Sequence, residues 1–180
     1  MTVKILDIGS GVSSVAAVVF DGIEDKEIIR ADVNPELKPD VIFDITKQLP
    51  EELRGQFDIV YCSHMLEHID RMKVFAALDN LIAAAKDMGE IWIIVPSMEW
   101  AANEIIRGRD GIHIQGHIFG GQSNEWEYHR SGFTLSSLRK LFELRGILVR
   151  KAYQAPFSIG YENREFQCVQ NVVIGLKYVQ

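Results

Sequence analysis

The sequence predicts an α/β fold in which a doubly wound, mostly parallel β-sheet ends in a C-terminal antiparallel strand pair. Short apolar runs bounded by turn residues alternate with segments of helical periodicity, and this alternation is typical of a parallel sheet covered by helices on both faces. The first run leads into a glycine turn at Gly9 and Gly11. The last two runs are joined by a short link, which suits an antiparallel pair.

Length and composition are those of one globular domain. The chain has 180 residues, of which 47% are hydrophobic and 24% are charged. This length allows one substantial core but not two comfortable domains, and this composition argues against long disorder or a fibrous repeat. We therefore expect a single domain that spans residues 1–180.

Five apolar runs have the length and the boundaries of buried parallel strands. They are Val3 to Ile8, Glu27 to Val33, Asp40 to Phe43, Phe57 to Cys62 and Glu90 to Val95. A helical stripe lies between the last two runs, because apolar side chains recur there in steps of four and three. The stripe contains Val74, Leu78, Leu81, Ala85 and Met88. Gly89 follows it in the position of a left-handed C-cap, so we expect the helix to end there.

The segment 97–133 has little strand character and is predicted to be a loop region. Thr134 is a good N-cap for the amphipathic helix that follows, and Gly146 is expected to end this helix. Two C-terminal strands complete the predicted sheet. They are Ile147 to Tyr153 and Phe166 to Val179, joined by a loop that contains Pro156 and Gly160.

Charge and hydropathy limit the class of partner. The formal net charge is −6, and long nucleic acids require a broad positive surface, so the charge argues against a nucleic-acid partner. No apolar run approaches the roughly 20 residues that span a bilayer, so we expect a cytoplasmic protein with no membrane association. The two cysteines, Cys62 and Cys168, have no metal-like spacing and are predicted to be buried thiols. The sequence leaves open whether the chain forms a homodimer.

The glycine turn predicts a phosphate or nucleotide ligand only weakly. Glycine allows a positive φ and a close ligand approach, and Ser13 and Ser14 could cap the helix that follows. The spacing Gly9-x-Gly11-x-x-Ser14 places serine where a dinucleotide fingerprint has its third glycine. A plain strand-to-helix turn is the alternative interpretation.

Two acids at strand ends strengthen the interpretation as a ligand site. Asp32 ends the second predicted strand, where its carboxylate could accept both hydroxyls of a ribose. Asp44 ends the third, where it could accept a hydrogen bond from an adenine amino group while Ile45 packs on the ring. The carboxyl ends of parallel strands meet at one edge, so these residues should face one ligand.

These motifs resemble those of the class I S-adenosylmethionine-dependent methyltransferases. The segment Asp7-Ile8-Gly9-Ser10-Gly11 is similar to their first motif, Asp32 to their ribose-binding acid and Asp44 to their adenine-side acid. The segment 57–69 is similar to their fourth strand and its turn. The resemblance implies a Rossmann-like fold, S-adenosylmethionine as the cofactor, and a set of cofactor-binding residues. This set is Asp7, Gly9, Ser10, Gly11, Asp32, Val33, Asp44, Ile45, Ser63 and His64.

Two features of the resemblance concern the acceptor side. The segments 116–122 and 128–134 are similar to late segments of small family members, some of which are linked to sugar or cell-surface metabolism. Family members usually carry residues before the first strand that fold over the cofactor, whereas here Met1 and Thr2 precede it. We therefore expect either an open site or closure by another segment or subunit.

Methyl transfer needs mainly alignment of the acceptor, with a base only where the acceptor must lose a proton. The predicted bases are His129 first, then His117 and His64. We expect 97–133 to form the acceptor side, because long loops in compact domains tend to be functional. The competing interpretation is a structured loop whose aromatic residues form a core of their own.

His64, Glu67 and His68 have the spacing i, i+3 and i+4, which places them on one face of a helical turn. Quinone-pathway and small-RNA methyltransferases resemble this segment, and there Glu, Glu and His bind a divalent metal. Histidine replaces the first glutamate here, so we predict no metal and a hydrogen-bonded Glu67–His68 pair near the cofactor.

The function predicted from the sequence is methyl transfer to an oxygen or nitrogen atom of a small-molecule or glycan-type acceptor. The first alternative is a non-catalytic module that keeps the fold and serves binding or assembly. The second is a dinucleotide-dependent oxidoreductase, which Ser14 disfavours.

Overall fold

Within residues 1–161 and 163–178, which the computed structural model describes, seven strands form one sheet. They are β1 (Val3–Ile8), β2 (Lys26–Asp32), β3 (Val41–Ile42), β4 (Phe57–Ser63), β5 (Ala85–Pro96), β6 (Leu148–Tyr161) and β7 (Arg164–Leu176). The strand order is β3-β2-β1-β4-β5-β7-β6. Strands β1 to β5 pair in parallel, and β7 pairs antiparallel with both β5 and β6. The predicted fold class is confirmed.

Helices cover both faces of this sheet. They are α1 (Ala16–Val19), α2 (Val74–Ala84), α3 (Met98–Ile106), α4 (Ile112–Phe119) and α5 (Leu135–Leu144). Leu78 and Leu81 of α2 are fully buried in the larger hydrophobic cluster, which contains Val60 of β4. Residues of the opposite parity, such as Ile59, belong to a second cluster on the other face. Both faces of the parallel strands are therefore buried, as the continuous apolar runs predict.

The chain reverses its direction of winding between β1 and β4, because β2 and β3 extend the sheet on one side of β1 and β5 on the other. Ligands of open α/β sheets bind outside the carboxyl ends of the strands at such a point. The fold therefore places the glycine turn after β1, and the turn after β4, at the same crevice.

Helix α2 ends earlier than the sequence predicts. It stops at Ala84, and residues 85–89 belong to β5, with Ala85 paired to Phe57 of β4. Met88 has the positive φ of 63° that was expected of Gly89. A Cβ on Gly89 would lie 3.0 Å from the Phe57 carbonyl oxygen, so this glycine is needed for close strand packing. The expectation of a helix through Met88 and a cap at Gly89 was wrong.

Strand β6 is longer than predicted, and β7 begins two residues before the predicted Phe166. Pro156 and Gly160 lie inside β6 and not in a connecting loop. Proline is tolerated there because β6 is an edge strand, paired only with β7 among the described strands. The predicted end of the last strand, Val179, lies outside the described residues.

Segment 97–133 contains two helices where a loop region was predicted. The side chain of Ser97 caps α3 by accepting a hydrogen bond from the Trp100 N–H at 3.2 Å. The predicted N-cap of α5 is confirmed, since Thr134 forms a reciprocal capping box with Ser137. Gly146 follows α5 with a φ of 69°, as expected of a glycine just beyond a helix end.

Other local expectations have mixed outcomes. Cys62 and Cys168 are free and buried, as predicted. Ser14 does not cap α1, because its hydroxyl donates to Asp7 Oδ2 at 2.6 Å and the N-cap residue is Val15. In the part of the chain that the structure describes, no helix has the length and apolar character required to cross a bilayer.

Candidate functional site

A cavity of about 490 Å³ lies at the carboxyl ends of the parallel strands. Residues after β1 to β4 form one wall, and the segment between α4 and α5 reaches it from the other side. The cavity-lining residues used below are Gly9, Gly11, Asp32, Val33, Asp44, Ile45, His64, Met65, His68, Asp70, Lys73, Glu125, Trp126, Glu127 and Arg130. The structure therefore brings the predicted strand-end motifs together at one crevice.

The two glycines of the first turn have different roles. Both have a positive φ, 71° at Gly9 and 61° at Gly11. A Cβ on Gly9 would lie 2.6 Å from Met65 Cβ, so Gly9 makes room for the turn after β4. A Cβ on Gly11 would meet nothing within 4 Å, so Gly11 leaves the backbone open toward the cavity. Close ligand approach is therefore available at Gly11.

Asp32 organises the glycine turn as well as lining the cavity. Its Oδ2 accepts a hydrogen bond from the Gly11 N–H, and its Oδ1 accepts one from the Asn34 N–H, both at 3.0 Å. Arg30, two residues earlier on the same strand, donates from one guanidinium nitrogen to the Gly11 carbonyl at 3.0 Å and to the Leu37 carbonyl at 3.3 Å. The turns after β1 and β2 are thus held as one unit.

Asp44 and Ile45 lie at the neighbouring strand end, as predicted. Asp44 Oδ1 accepts hydrogen bonds from the N–H and the hydroxyl of Thr46, at 2.9 and 2.8 Å. Asn80 of α2 donates to the carbonyls of Ile45 and Lys47 and so fixes the path of this turn. Ile45 is buried and still borders the cavity.

Some predicted cofactor residues act behind the cavity wall. Asp7, Ser10 and Ser63 are not among the described residues that line it, whereas Val33 and His64 are. Burial raises the pKa of Asp7, although the hydrogen bond from Ser14 acts in the opposite direction. In the structure, Asp7 therefore supports the turn through Ser14.

His64 faces the cavity from a left-handed backbone conformation, with a φ of 51°. Its Nε2 lies 2.8 Å from Gln170 Oε1, and its Nδ1 lies 3.4 Å from Glu67 Oε1. Burial alone would lower the pKa of His64, but the Glu67 and Gln170 oxygens together raise it above the ordinary value. A non-glycine residue with positive φ is uncommon and marks a position that the surrounding structure constrains.

Glu67 is the most deeply buried acid beside the cavity, with 1% of its surface exposed. Neither carboxylate oxygen has a hydrogen-bond partner among the described residues. Burial raises the pKa of Glu67, but the contact with His64 and the nearby His68 and His129 lower it below the ordinary value overall. The Glu67 carbonyl accepts from the N–H groups of Arg130 and Ser131, which docks that segment against this turn.

His68 and His129 lie next to this carboxylate. Their ring centroids are 4.8 Å apart in an edge-to-face arrangement. One ligand atom from each histidine and one from Glu67 lie within 4.8 Å of one another, so these three side chains could hold a metal ion. Burial lowers the pKa of His129. The predicted Glu67–His68 hydrogen bond is absent among the described contacts, because the Glu67 oxygens have no such partner.

His117 is placed differently from the other predicted bases. It is buried beneath the cavity wall, with its ring 4.9 Å from that of Trp100. Its Nε2 lies 3.0 Å from the Ser97 carbonyl oxygen. Burial lowers the pKa of His117 to about 4. Neither His117 nor His129 is among the described residues that line the cavity, whereas His64 is.

Several cavity residues were missed by the sequence analysis. Trp126, Glu125 and Glu127 reach the cavity from the segment after α4, and Lys73 and Arg130 place positive charge at its edge. The concentration of aromatic residues in 97–133 was the available signal for Trp126. Nothing in the local sequence pattern indicated that Lys73 would contact the cavity.

Comparison with protein families gives one match. A family model described as a methyltransferase domain matches residues 3–150, which is most of the chain. The match begins at β1 and ends in β6. It therefore includes the glycine turn, both strand-end acids, and the neighbouring side chains of Glu67, His68 and His129. No curated protein matches the chain.

Solved structures of methyltransferases share the fold. An S-adenosylmethionine-dependent methyltransferase from Methanosarcina mazei is 14% identical, with a TM-score of 0.69 over 98% of this chain and 93% of that one. One from Archaeoglobus fulgidus is 20% identical, with a TM-score of 0.60 over 98% and 86%. The 1,6-didemethyltoxoflavin-N1-methyltransferase of Burkholderia thailandensis, solved with S-adenosylhomocysteine, is 14% identical, with a TM-score of 0.62 over 98% and 71%.

The cavity fits the cofactor that this family uses. Its volume of about 490 Å³ is within the usual range for cofactor sites. Gly11 leaves the backbone accessible, and Asp32 retains carboxylate lone pairs beyond the two that accept backbone N–H groups. These observations and the family match support an enzyme over a non-catalytic module or a dinucleotide-dependent oxidoreductase. The chain belongs to the methyltransferase domain family, and solved S-adenosylmethionine-dependent methyltransferases share its fold.

Proposed function

We propose that this enzyme methylates an oxygen or nitrogen atom of a small-molecule or sugar-like acceptor. The observation that carries the proposal is the composition of the cavity wall opposite the strand ends. Trp126, which is 45% exposed, lies there with the charged side chains of Glu127 and Arg130, and His68 lines the same cavity. An aromatic surface beside polar groups suits a compact acceptor that carries hydroxyl or amine groups.

The charge of the cavity argues against a polyanionic acceptor. Its acidic residues outnumber Lys73 and Arg130. They are Asp32, Asp44, Asp70, Glu125 and Glu127. Arg130 is also partly neutralised, since its guanidinium lies 3.7 Å from Asp70. A nucleic acid gains most of its affinity from phosphate contacts with basic groups, which this cavity offers in small number.

The protein's contribution to the reaction is mainly alignment and exclusion of water. S-adenosylmethionine supplies an electrophilic methyl group when it is bound. Asp32 would orient the cofactor at the strand ends, and the uncrowded backbone at Gly11 would allow it to approach closely. The segment 124–127 would cover the cavity on the acceptor side and hold the acceptor in line, which can account for a large part of a rate enhancement.

His129 remains the first candidate for proton removal where the acceptor must lose a proton. Its Nδ1 lies 3.2 Å from the His117 carbonyl oxygen, so Nδ1 carries the hydrogen and the Nε2 lone pair is left for another partner. Both ring nitrogens of His64 already face acceptor oxygens. His117 is turned toward the Ser97 carbonyl behind the cavity wall. The free Nε2 lone pair therefore favours His129 over the other two predicted bases.

The proposal is tested by an acceptor screen. The purified enzyme is incubated with S-adenosylmethionine and pools of small alcohols, sugars, phenols and amines, and S-adenosylhomocysteine formation is measured. Mass spectrometry and NMR then locate the added methyl group. We expect transfer to oxygen or nitrogen in at least one pool.

Asp32→Ala serves as the inactive reference, and Asp87→Ala is its matched control. Asp87 is a largely exposed acid near the amino-terminal end of β5, away from the cavity. Asp87→Ala should retain the wild-type rate. Transfer only to carbon, or only to RNA or protein substrates run in parallel, would contradict the proposed acceptor class.

A further inference from the structure

Glu67, His68 and His129 form a compact cluster beside the cavity, which His68 lines. They come from the short 3₁₀ turn Leu66–His68 after β4 and from the segment before α5. We propose that this cluster binds a divalent transition-metal ion. The proposal goes beyond methyl transfer and replaces our sequence-based expectation of no metal.

The first support is the state of the Glu67 carboxylate. It is almost completely buried, and both of its oxygens lack a hydrogen-bond partner among the described residues. A buried carboxylate is costly unless it is paired, hydrogen-bonded or bound to a metal. The described ion pair is with His64, whose Nδ1 lies 3.4 Å from Oε1, and it leaves the other oxygen without a partner. Glu67 therefore retains capacity to bind a cation.

The second support is the orientation of the two imidazole rings. His68 Nδ1 lies 3.2 Å from the Tyr128 carbonyl oxygen, and His129 Nδ1 lies 3.2 Å from the His117 carbonyl oxygen. A carbonyl oxygen only accepts, so each Nδ1 carries the ring hydrogen and each Nε2 presents its lone pair. Metal-binding histidines are commonly oriented by such a bond from the second ring nitrogen to a carbonyl or carboxylate.

The third support is distance. One ligand atom from each of the three side chains lies within 4.8 Å of the other two. Metal–nitrogen bonds of about 2.0–2.1 Å allow two ligand atoms of one ion to be at most about 4.2 Å apart. A contraction of at most about 0.6 Å would therefore bring the three ligand atoms within reach of one ion.

The donor atoms select the class of ion. Two imidazole nitrogens and one carboxylate suit Zn²⁺, Mn²⁺, Fe²⁺, Co²⁺ or Ni²⁺, whereas Mg²⁺ and Ca²⁺ prefer oxygen ligands. Three protein ligands also leave a coordination position open, as in catalytic zinc sites. His68 itself lines the cavity, so an ion held here would face the space beside the strand-end turns. There it could bind an acceptor oxygen and favour its deprotonation, and His129 would then act as a metal ligand in place of a base.

The test uses untagged full-length protein, because a polyhistidine tag would bind the same ions. The protein is stripped with a chelator and titrated with Zn²⁺ and Mn²⁺ by calorimetry, and with Co²⁺ followed by visible absorption. No cofactor or acceptor is present, so the result does not depend on the proposed acceptor class. We expect saturable binding of one equivalent, and Co²⁺ should give absorption bands of a bound, low-symmetry site.

Ligand variants identify the site. His68→Ala, His129→Ala and Glu67→Gln should each weaken binding by about tenfold or more. His113→Ala is the matched control, because His113 stacks on Phe166 outside the cluster, and its affinity should equal that of the wild type. Circular dichroism checks that each variant folds. If Glu67→Gln does not fold, the two histidine variants decide the question.

Two results would overturn the inference. One is the absence of saturable one-equivalent binding for all three ions. The other is a metal affinity equal to that of the wild type in folded His68→Ala and His129→Ala, which would show that the ion binds at a different site.

Discussion

Removing the Asp32 carboxylate tests how the cofactor is held. The side chain has about four acceptor lone pairs, of which the N–H groups of Gly11 and Asn34 use two. The remaining pair is sufficient for the two hydroxyls of a ribose. In Asp32→Ala the cofactor loses these bonds, and the glycine turn loses one of its anchors.

The expected loss follows from the energy of hydrogen bonds to charged groups. Such bonds contribute about 1.5–3 kcal/mol, so the Kd for S-adenosylhomocysteine should rise about 10- to 150-fold. Asp32→Asn should not restore affinity. Its amide would point an N–H₂ group at the N–H of either Gly11 or Asn34, where the native oxygens accept hydrogen bonds.

The assay is isothermal titration calorimetry with S-adenosylhomocysteine at 25 °C, accompanied by a thermal melt of each variant. Asp87→Ala is the control for loss of an acid that lies away from the cavity. A Kd for Asp32→Ala within threefold of the wild-type value, in a protein that melts normally, would refute the ribose role.

Three further predictions address the acceptor side and its support. His129→Ala should slow single-turnover methyl transfer by ~10²–10⁴-fold while cofactor affinity stays nearly unchanged; a rate within threefold of wild type would exclude a catalytic role. Amide hydrogen exchange in 97–133 should slow when cofactor and acceptor are added, and equal protection in both states would indicate a purely structural segment. Gly120→Ala should lower the Tm, because its φ is 81° and a Cβ would overlap the Glu127 carbonyl oxygen. Gly116→Ala, in α4 with no atom within 4 Å of the added Cβ, should instead stabilise by ~0.5–1 kcal/mol; equal Tm changes for the two variants would contradict this reading of the α4 end.

The extent of regular structure was predicted well where local pattern and tertiary pairing agree. The boundaries of β1 match the prediction, and the capping box at Thr134 forms as expected. The prediction and the structure differ where strand pairing overrides helical periodicity. Residues 85–89 continue an apolar helical stripe, but the pairing of Ala85 with Phe57 draws them into β5. A short window of sequence contains no information about that partner.

The histidine cluster shows the same limit at the site. The spacing of His64, Glu67 and His68 indicated a shared face, but it could not show that His129 completes the group. Nor could it show that Gln170, which is 106 positions away, would bind His64. The folded chain orients His129 through the carbonyl of His117, a contact that depends on how the segment after α4 returns to the cavity.

The sequence by itself determined which residues lie at the strand ends, and the tertiary structure decided which residues join them around the cavity. Asp32, Asp44 and the glycine turn follow directly from the ends of parallel strands, and strand ends of one sheet must meet at one edge. These residues lie close together because of the fold class, and the hydrophobic periodicity of the sequence predicts that fold class. Glu67, Trp126 and His129 come from segments with no common period. Their relative positions depend on long-range packing, and only the folded chain specifies it.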